Sequence, residues 1–110
     1  MNKESRYKVD LIEPSEIVAT GIAEIIKRNP ELNVVQILSN PAYYNANNSD
    51  IDIIIINPAV IDYNDRLDIR SYFGGTNSAL VALAHSNYEE NVLRQYDDCI
   101  GIYDNTARII

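Results

Sequence analysis

Asp50-Ile51-Asp52-Ile53-Ile54-Ile55-Ile56-Asn57-Pro58 is the stretch on which the fold turns. A strand with one wet face alternates apolar and polar residues, whereas here four isoleucines stand together between polar ends. A β-branched run without that alternation is the pattern of a central parallel strand covered on both faces. It ends at Asn57-Pro58, where proline removes a backbone donor. Upstream, residues 39–49 are rich in Asn and poor in periodic apolar residues, so any helix there is short or irregular. Before them, Val34-Val35-Gln36-Ile37-Leu38 reads as a second strand. Between residues 16 and 28, Ile17, Val18, Ile22, Ile25 and Ile26 recur at helical steps with Glu24, Lys27 and Arg28 on the other side, predicting an amphipathic helix. Ser15 is placed to cap it, Glu16 sits in its first turn and Asn29-Pro30 stops it. Val9, Leu11 and Ile12 make the first strand.

Downstream the alternation of elements continues. Residues 62–72 predict a helix, Gly74-Gly75 a turn and residues 79–84 a second buried strand. Asn87 can cap a helix running to residue 96, with acids in its first turn and Arg94 near its end, as the helix dipole favours. Residues 99–103 give the fifth strand, and residues 106–110 look like the opening of a helix that has been cut off. Strand and helix repeated with short connections give, by the right-handed crossover rule, a parallel sheet with helices on both faces.

The 110 residues carry 9 Lys+Arg against 16 Asp+Glu, a formal charge of −7, and 46% are hydrophobic. One domain with a single core is expected, and disorder is excluded as the default. So acidic a chain repels a phosphate backbone, which argues against direct nucleic-acid contact by this segment. Cys99 alone cannot form an internal disulfide, the first six residues are polar, and the isoleucine run is far too short to cross a bilayer. A reduced, cytoplasmic setting is expected, without a membrane span.

Several segments together resemble the receiver domains of response regulators. Val9-Asp10-Leu11-Ile12-Glu13-Pro14 stands where that family has an apolar strand ending in two acids. Residues 15–28 stand for its first helix, and Asp52-Ile53-Ile54-Ile55-Ile56-Asn57 for the strand that ends on the phospho-accepting Asp. Leu83-Ala84-His85-Ser86-Asn87 and Gly101-Ile102-Tyr103-Asp104-Asn105 resemble the exits of the fourth and fifth strands, which carry a hydroxyl and a lysine in the family. The resemblance covers nearly the whole chain and implies the CheY-like version of the flavodoxin-type α/β fold, five parallel strands in the order 2-1-3-4-5. Val92-Leu93-Arg94 after an acidic turn looks most like the receivers of LuxR-type DNA-binding regulators.

The same resemblance implies a disabled phosphorylation pocket. Receivers phosphorylate a carboxylate with the help of Mg²⁺, a cation that needs grouped oxygen ligands. The acceptor position falls on Asn57, whose amide is a poor nucleophile without negative charge. Of the two acids at the first strand's end Glu13 remains, while Pro14 offers no side-chain ligand. The switch hydroxyl corresponds to Ala84 and the lysine to Asn105, or to Thr106 if the register slips by one; the switch aromatic falls at Ile102, beside Tyr103. Neither a catalytic residue nor a metal or other cofactor is therefore expected.

Glu13 is read as a hydrogen-bond partner of the Asn57 amide rather than a lone metal ligand. His85 is read as a rim histidine, Cys99 as packed in the sheet, and Gly74-Gly75-Thr76-Asn77 as a turn rather than a phosphate cradle. Tyr43-Tyr44 serves a partner or packs on the second strand, and both Glu89-Glu90 and Asp97-Asp98 are read as a solvated face. The whole chain, residues 1–110, is expected to be one pseudo-receiver domain that acts without phosphorylation. Its protein contacts, expected to be homodimeric through the family's fourth helix, fifth strand and fifth helix, would control a DNA-binding helix-turn-helix beyond Ile110. The alternatives are a small-molecule module using the emptied pocket and a small flavodoxin-like enzyme at the strand-end crevice.

Overall fold

Ile53–Ile56 forms β3, the middle strand of a five-stranded sheet, and its four side chains divide between the two faces. Ile54 and Ile56 pack with Ile12, Leu80 and Ala82 in one apolar cluster. Ile55, with Ile53 at its margin, packs with Val9, Leu11 and Leu83 in the other. Both faces are covered, which is why polar residues never interrupt the run. The computed structural model describes residues 7–41, 51–61, 65, 68–73, 77–84 and 90–101.

The remaining elements are β1 (Tyr7–Ile12), α1 (Glu16–Lys27), β2 (Leu32–Leu38), a 3₁₀ turn (Pro58–Val60), α2 (Ile69–Tyr72), β4 (Ala79–Ala84), α3 (Glu90–Leu93) and β5 (Asp98–Gly101). The strands lie in the order β2-β1-β3-β4-β5 and every neighbouring pair is parallel. This is the doubly wound α/β sheet expected from the sequence. α1 covers the face of Val9, Leu11, Ile55 and Leu83 with Ala19, Ile22 and Ile26. Ile61, Ile69, Phe73 and Tyr96 cover the other face. Among the described residues, no helix is long and apolar enough to cross a membrane.

α1 begins where Ser15 accepts the Val18 N–H on its Oγ at 3.3 Å, the expected cap. It ends with the Arg28 and Asn29 N–H groups donating to Ile25 O and Ile26 O. Asn29 Oδ1 then accepts the Glu31 N–H at 2.9 Å, folding the chain around Pro30 into β2. The apolar face predicted for this helix needs one correction: Ile17 is 86% exposed. With 3.6 residues per turn, Ile17 lies across the helix from Ile22 and Ile26, so its closeness to Val18 in sequence put it on the wrong side. Gly21 sits on the exposed side, with nothing within 4 Å of where a Cβ would stand. Gly21→Ala is expected to stabilise the domain by about 0.5–1 kcal/mol, read as a higher midpoint in thermal unfolding followed by circular dichroism.

The last of the described helices ends sooner than predicted. Within the stretch expected to be helical over 62–72, the described helix is α2, capped by Asp68, whose Oδ1 accepts the Ser71 N–H at 3.4 Å. The helix expected to reach residue 96 stops at Leu93. Gln95 and Tyr96 donate to Val92 O and Leu93 O in tight turns, and the Asp97 N–H already bonds Leu80 O, so the chain has joined the sheet. Arg94 thus follows the helix instead of closing it.

Asp97 and Asp98 are exposed, as expected of a solvated face, but Asp97 also has a structural task. Its Oδ2 accepts the Leu80 N–H at 2.7 Å and Arg70 Nη2 at 3.0 Å, and Arg70 Nη1 reaches Ser78 O at 3.2 Å. One carboxylate therefore ties α2 to the start of β4 and the entry to β5. Cys99 is half-buried against the cluster that holds Ile54, as expected for a packed thiol. His85, Asn87, Ile102, Tyr103, Tyr43-Tyr44, Gly74-Gly75-Thr76 and the helix expected over 106–110 lie outside the described residues.

Candidate functional site at the strand ends

Parallel strands deliver their carboxyl ends to one edge of the sheet, the place where open α/β sheets bind ligands. β1 and β3 run in register with Ile12 opposite Ile56, so the residues that follow, Glu13 and Asn57, arrive side by side. Backbone bonds extend the ladders on both sides of β1 one step further: the Glu13 N–H donates to Leu38 O of β2 at 2.9 Å and the Asn57 N–H to Ile12 O at 3.0 Å. Both side chains are enclosed, Glu13 at 2% exposure and Asn57 at 4%.

Their hydrogen bonds form a short chain. Asn57 Nδ2 donates to Glu13 Oε1 at 3.2 Å, the contact expected from the sequence. The Ser15 N–H donates to Glu13 Oε2 at 2.7 Å, and Asn57 Oδ1 accepts the Ala59 N–H at 2.9 Å, capping the 3₁₀ turn. A buried carboxylate is costly unless its charge is met by donors, and here an amide and a backbone N–H meet it. The arrangement fastens the turn after β1 to the turn after β3. An amide oxygen capping a turn carries no negative charge, so the pair presents one carboxylate where a divalent cation needs several oxygen ligands. Among the described residues, no group of three or more His, Cys, Asp or Glu is placed to hold a metal ion.

Ala84 ends β4 on the neighbouring strand and brings only a buried methyl group. Pro14 stands exposed in the turn between β1 and α1. Asn105 lies outside the described residues. The structure thus brings Glu13 and Asn57 into contact, with Ala84 at an adjacent strand end. The Ser15 and Ala59 backbone contacts were not anticipated, although Asn57-Pro58-Ala59 carries the signal of the second, since Asn side chains bond the N–H two residues on. Asp10 was missed too: it lies buried within β1, opposite Ile54 on one side and Gln36 on the other.

On the α1 side of Glu13, an open cleft of about 280 Å³ is lined by Glu13, Pro14, Glu16, Ala19, Thr20, Ile37 and Ser39. It lies just under the usual range of small-molecule sites, roughly 300–1,000 Å³.

No family model matches the chain, and no curated protein matches it in sequence. Solved structures do match its shape. The response regulator ChrA of a heme-sensing two-component system superposes with a TM-score of 0.71 at 14% identity, over 96% of this chain and 53% of that one. A response regulator from Thermotoga maritima gives 0.70 at 16% identity, over 94% and 91%. The chain has the fold of a response-regulator receiver. The RcsB response regulator of Salmonella typhimurium shares that receiver fold with a TM-score of 0.68 at 17% identity, over 88% of this chain and 52% of its own. The chain therefore spans about half the length of ChrA and RcsB, and nearly all of the Thermotoga protein. In this receiver fold, order 2-1-3-4-5, β1 and β3 are the neighbours whose ends form the Glu13–Asn57 pair.

Proposed function

We propose that the chain is a pseudo-receiver, a regulatory domain that signals through protein contacts without being phosphorylated. The observation that carries this reading is the Asn57 side chain at the end of β3, in the place the receiver resemblance assigns to the acceptor Asp. It is held at one end by Glu13 and at the other by the Ala59 N–H. An acyl phosphate needs a carboxylate oxygen as nucleophile, and an amide bound in this way supplies none. Pro14 and Ala84, at the positions of the second acid and the hydroxyl, add no oxygen ligand.

In this reading the domain is the amino-terminal part of a LuxR-type transcription regulator. A helix-turn-helix domain would follow residue 110, and self-association through the fourth helix, fifth strand and fifth helix would set its DNA-binding state. The comparison with RcsB, a response regulator described for its DNA interaction and about twice as long, supports this arrangement. A second reading, a domain regulated by a small molecule, is favoured by the open cleft beside Glu13.

The test is a titration of the labelled domain with acetyl phosphate, and separately with beryllofluoride, in the presence of Mg²⁺, followed by amide NMR. The amides of Glu13, Asn57 and Ala84 are expected to stay in place. Saturable shifts centred on those three residues would overturn the proposal.

A further inference from the structure

The two edges of the sheet are guarded unequally. An edge strand offers its outer N–H and C=O groups to any strand that comes alongside, and proteins blunt that offer with charge, proline or brevity. β5 is defended: it starts at Asp98 and follows Asp97, both exposed acids. β2 has seven residues, Leu-Asn-Val-Val-Gln-Ile-Leu, with no charged side chain, no proline and no glycine. Among the described residues it pairs on one side only, with β1. Val35 and Ile37 are each 48% exposed. Its one irregularity is the register step that leaves Val35 without an opposite number in β1. Such a bulge adds twist but brings no charge to the edge.

We propose that the outer edge of β2 pairs antiparallel with the same edge of a second copy of this chain. The self-complementary sequence of the strand argues for a second copy as the occupant. With the two-fold axis between Val35 and Gln36, Val34 of each copy stands opposite Ile37 of the other. Val34 and Ile37 both lie on the α1 face, since their β1 partners Val9 and Leu11 belong to the cluster beneath α1. Two apolar cross-strand pairs form, the unit of sheet stabilisation. Leu38 meets Asn33, and Glu31 meets Asn40, so no acid faces an acid although each chain carries −7. For copies that repel one another overall, an uncharged, self-complementary strand is the place where backbones approach at least electrostatic cost. This contact lies at the opposite edge of the sheet from the surface invoked for self-association above and does not depend on the phosphorylation reading.

The test is sedimentation velocity over a range of concentrations, with amide hydrogen exchange measured at the two extremes. A monomer–dimer equilibrium is expected, with β2 amides gaining protection as the dimer forms. Ile37→Lys and Val35→Lys, both at half-exposed positions, are expected to abolish the protection that the β2 amides gain with concentration while leaving the far-ultraviolet circular dichroism unchanged. A Val34→Cys, Ile37→Cys double variant should form a covalent dimer on mild oxidation, which secures the test should either lysine variant misfold. A chain that stays monomeric throughout leaves the edge to some other occupant and overturns the proposal. So does a dimer whose β2 amides gain no protection, or whose β2 protection survives Ile37→Lys with the fold intact, because its contact then lies elsewhere.

Discussion

At pH 7 the Asn57→Asp variant is expected to be less stable than the wild type by about 2–4 kcal/mol, measured by urea unfolding. The substitution replaces the amide that donates to Glu13 Oε1 at 3.2 Å with a second carboxylate inside the same enclosed site. Two carboxylates sharing a site cannot both stay ionised cheaply, so the pair holds a proton to higher pH than the unfolded chain does. The sign follows. A native state that binds more protons than the unfolded one loses stability as pH rises, by about 1.4 kcal/mol for each unit by which the pair's affinity for that proton is raised. The deficit is therefore full above the raised value and vanishes below about pH 4, where the unfolded carboxyls are protonated as well. A variant as stable as the wild type at pH 7 would show that the two side chains do not share a buried site. If the pocket is also empty of its other parts, acetyl phosphate should leave the variant's intact mass unchanged. A gain of one phosphoryl group would mean that Asn57 alone had silenced it.

The second large effect belongs to the core. Ile54 is 1% exposed, in the middle strand, and packs against Ile12, Leu80 and Ile69. Ile54→Ala removes three buried carbons and leaves a cavity that strands fixed on both sides cannot close, at a cost of about 2–5 kcal/mol. Domains of this size are stable by only about 5–15 kcal/mol, so the urea midpoint should fall steeply while the slope of the transition is kept. Ile17→Ala supplies the contrast, because a residue 86% exposed should shift stability by no more than about 0.5 kcal/mol. Equal losses from the two would mean that Ile17 is covered in solution.

The order of elements and the parallel sheet were legible because each strand announces itself within a few neighbouring residues. β4 occupies residues 79–84 as predicted, and the run at Ile53–Ile56 revealed two covered faces by its lack of alternation. The Glu13–Asn57 contact was legible for a related reason: each is the polar residue after the last apolar residue of adjacent parallel strands. What escaped depends on distant partners or on angle. Ile17 stands beside Val18 in the sequence but across the helix from Ile22. The early end of α3 and the task of Asp97 were set by Leu80 and Arg70, 17 and 27 residues away, which no local pattern encodes. Asp10 passed unnoticed because a polar residue among apolar ones in a strand ordinarily marks the wet face, and this strand has none.

The place of β1 in the sheet has a consequence for how the chain assembles. It is synthesised before the other strands, yet it has neighbours on both edges, and the second of these, β3, enters the chain only after α1, β2 and a further connection. Until Ile53 to Ile56 have been made, one edge of β1 and the faces of Val9 and Leu11 lack their full cover. Contacts between segments so far apart are slow to form, and unpaired strands are the part of a growing polypeptide most prone to wrong pairing. For this chain the exposed interval on the ribosome is set by the distance from β1 to β3, and the same closure that ends it brings Asn57 up against Glu13.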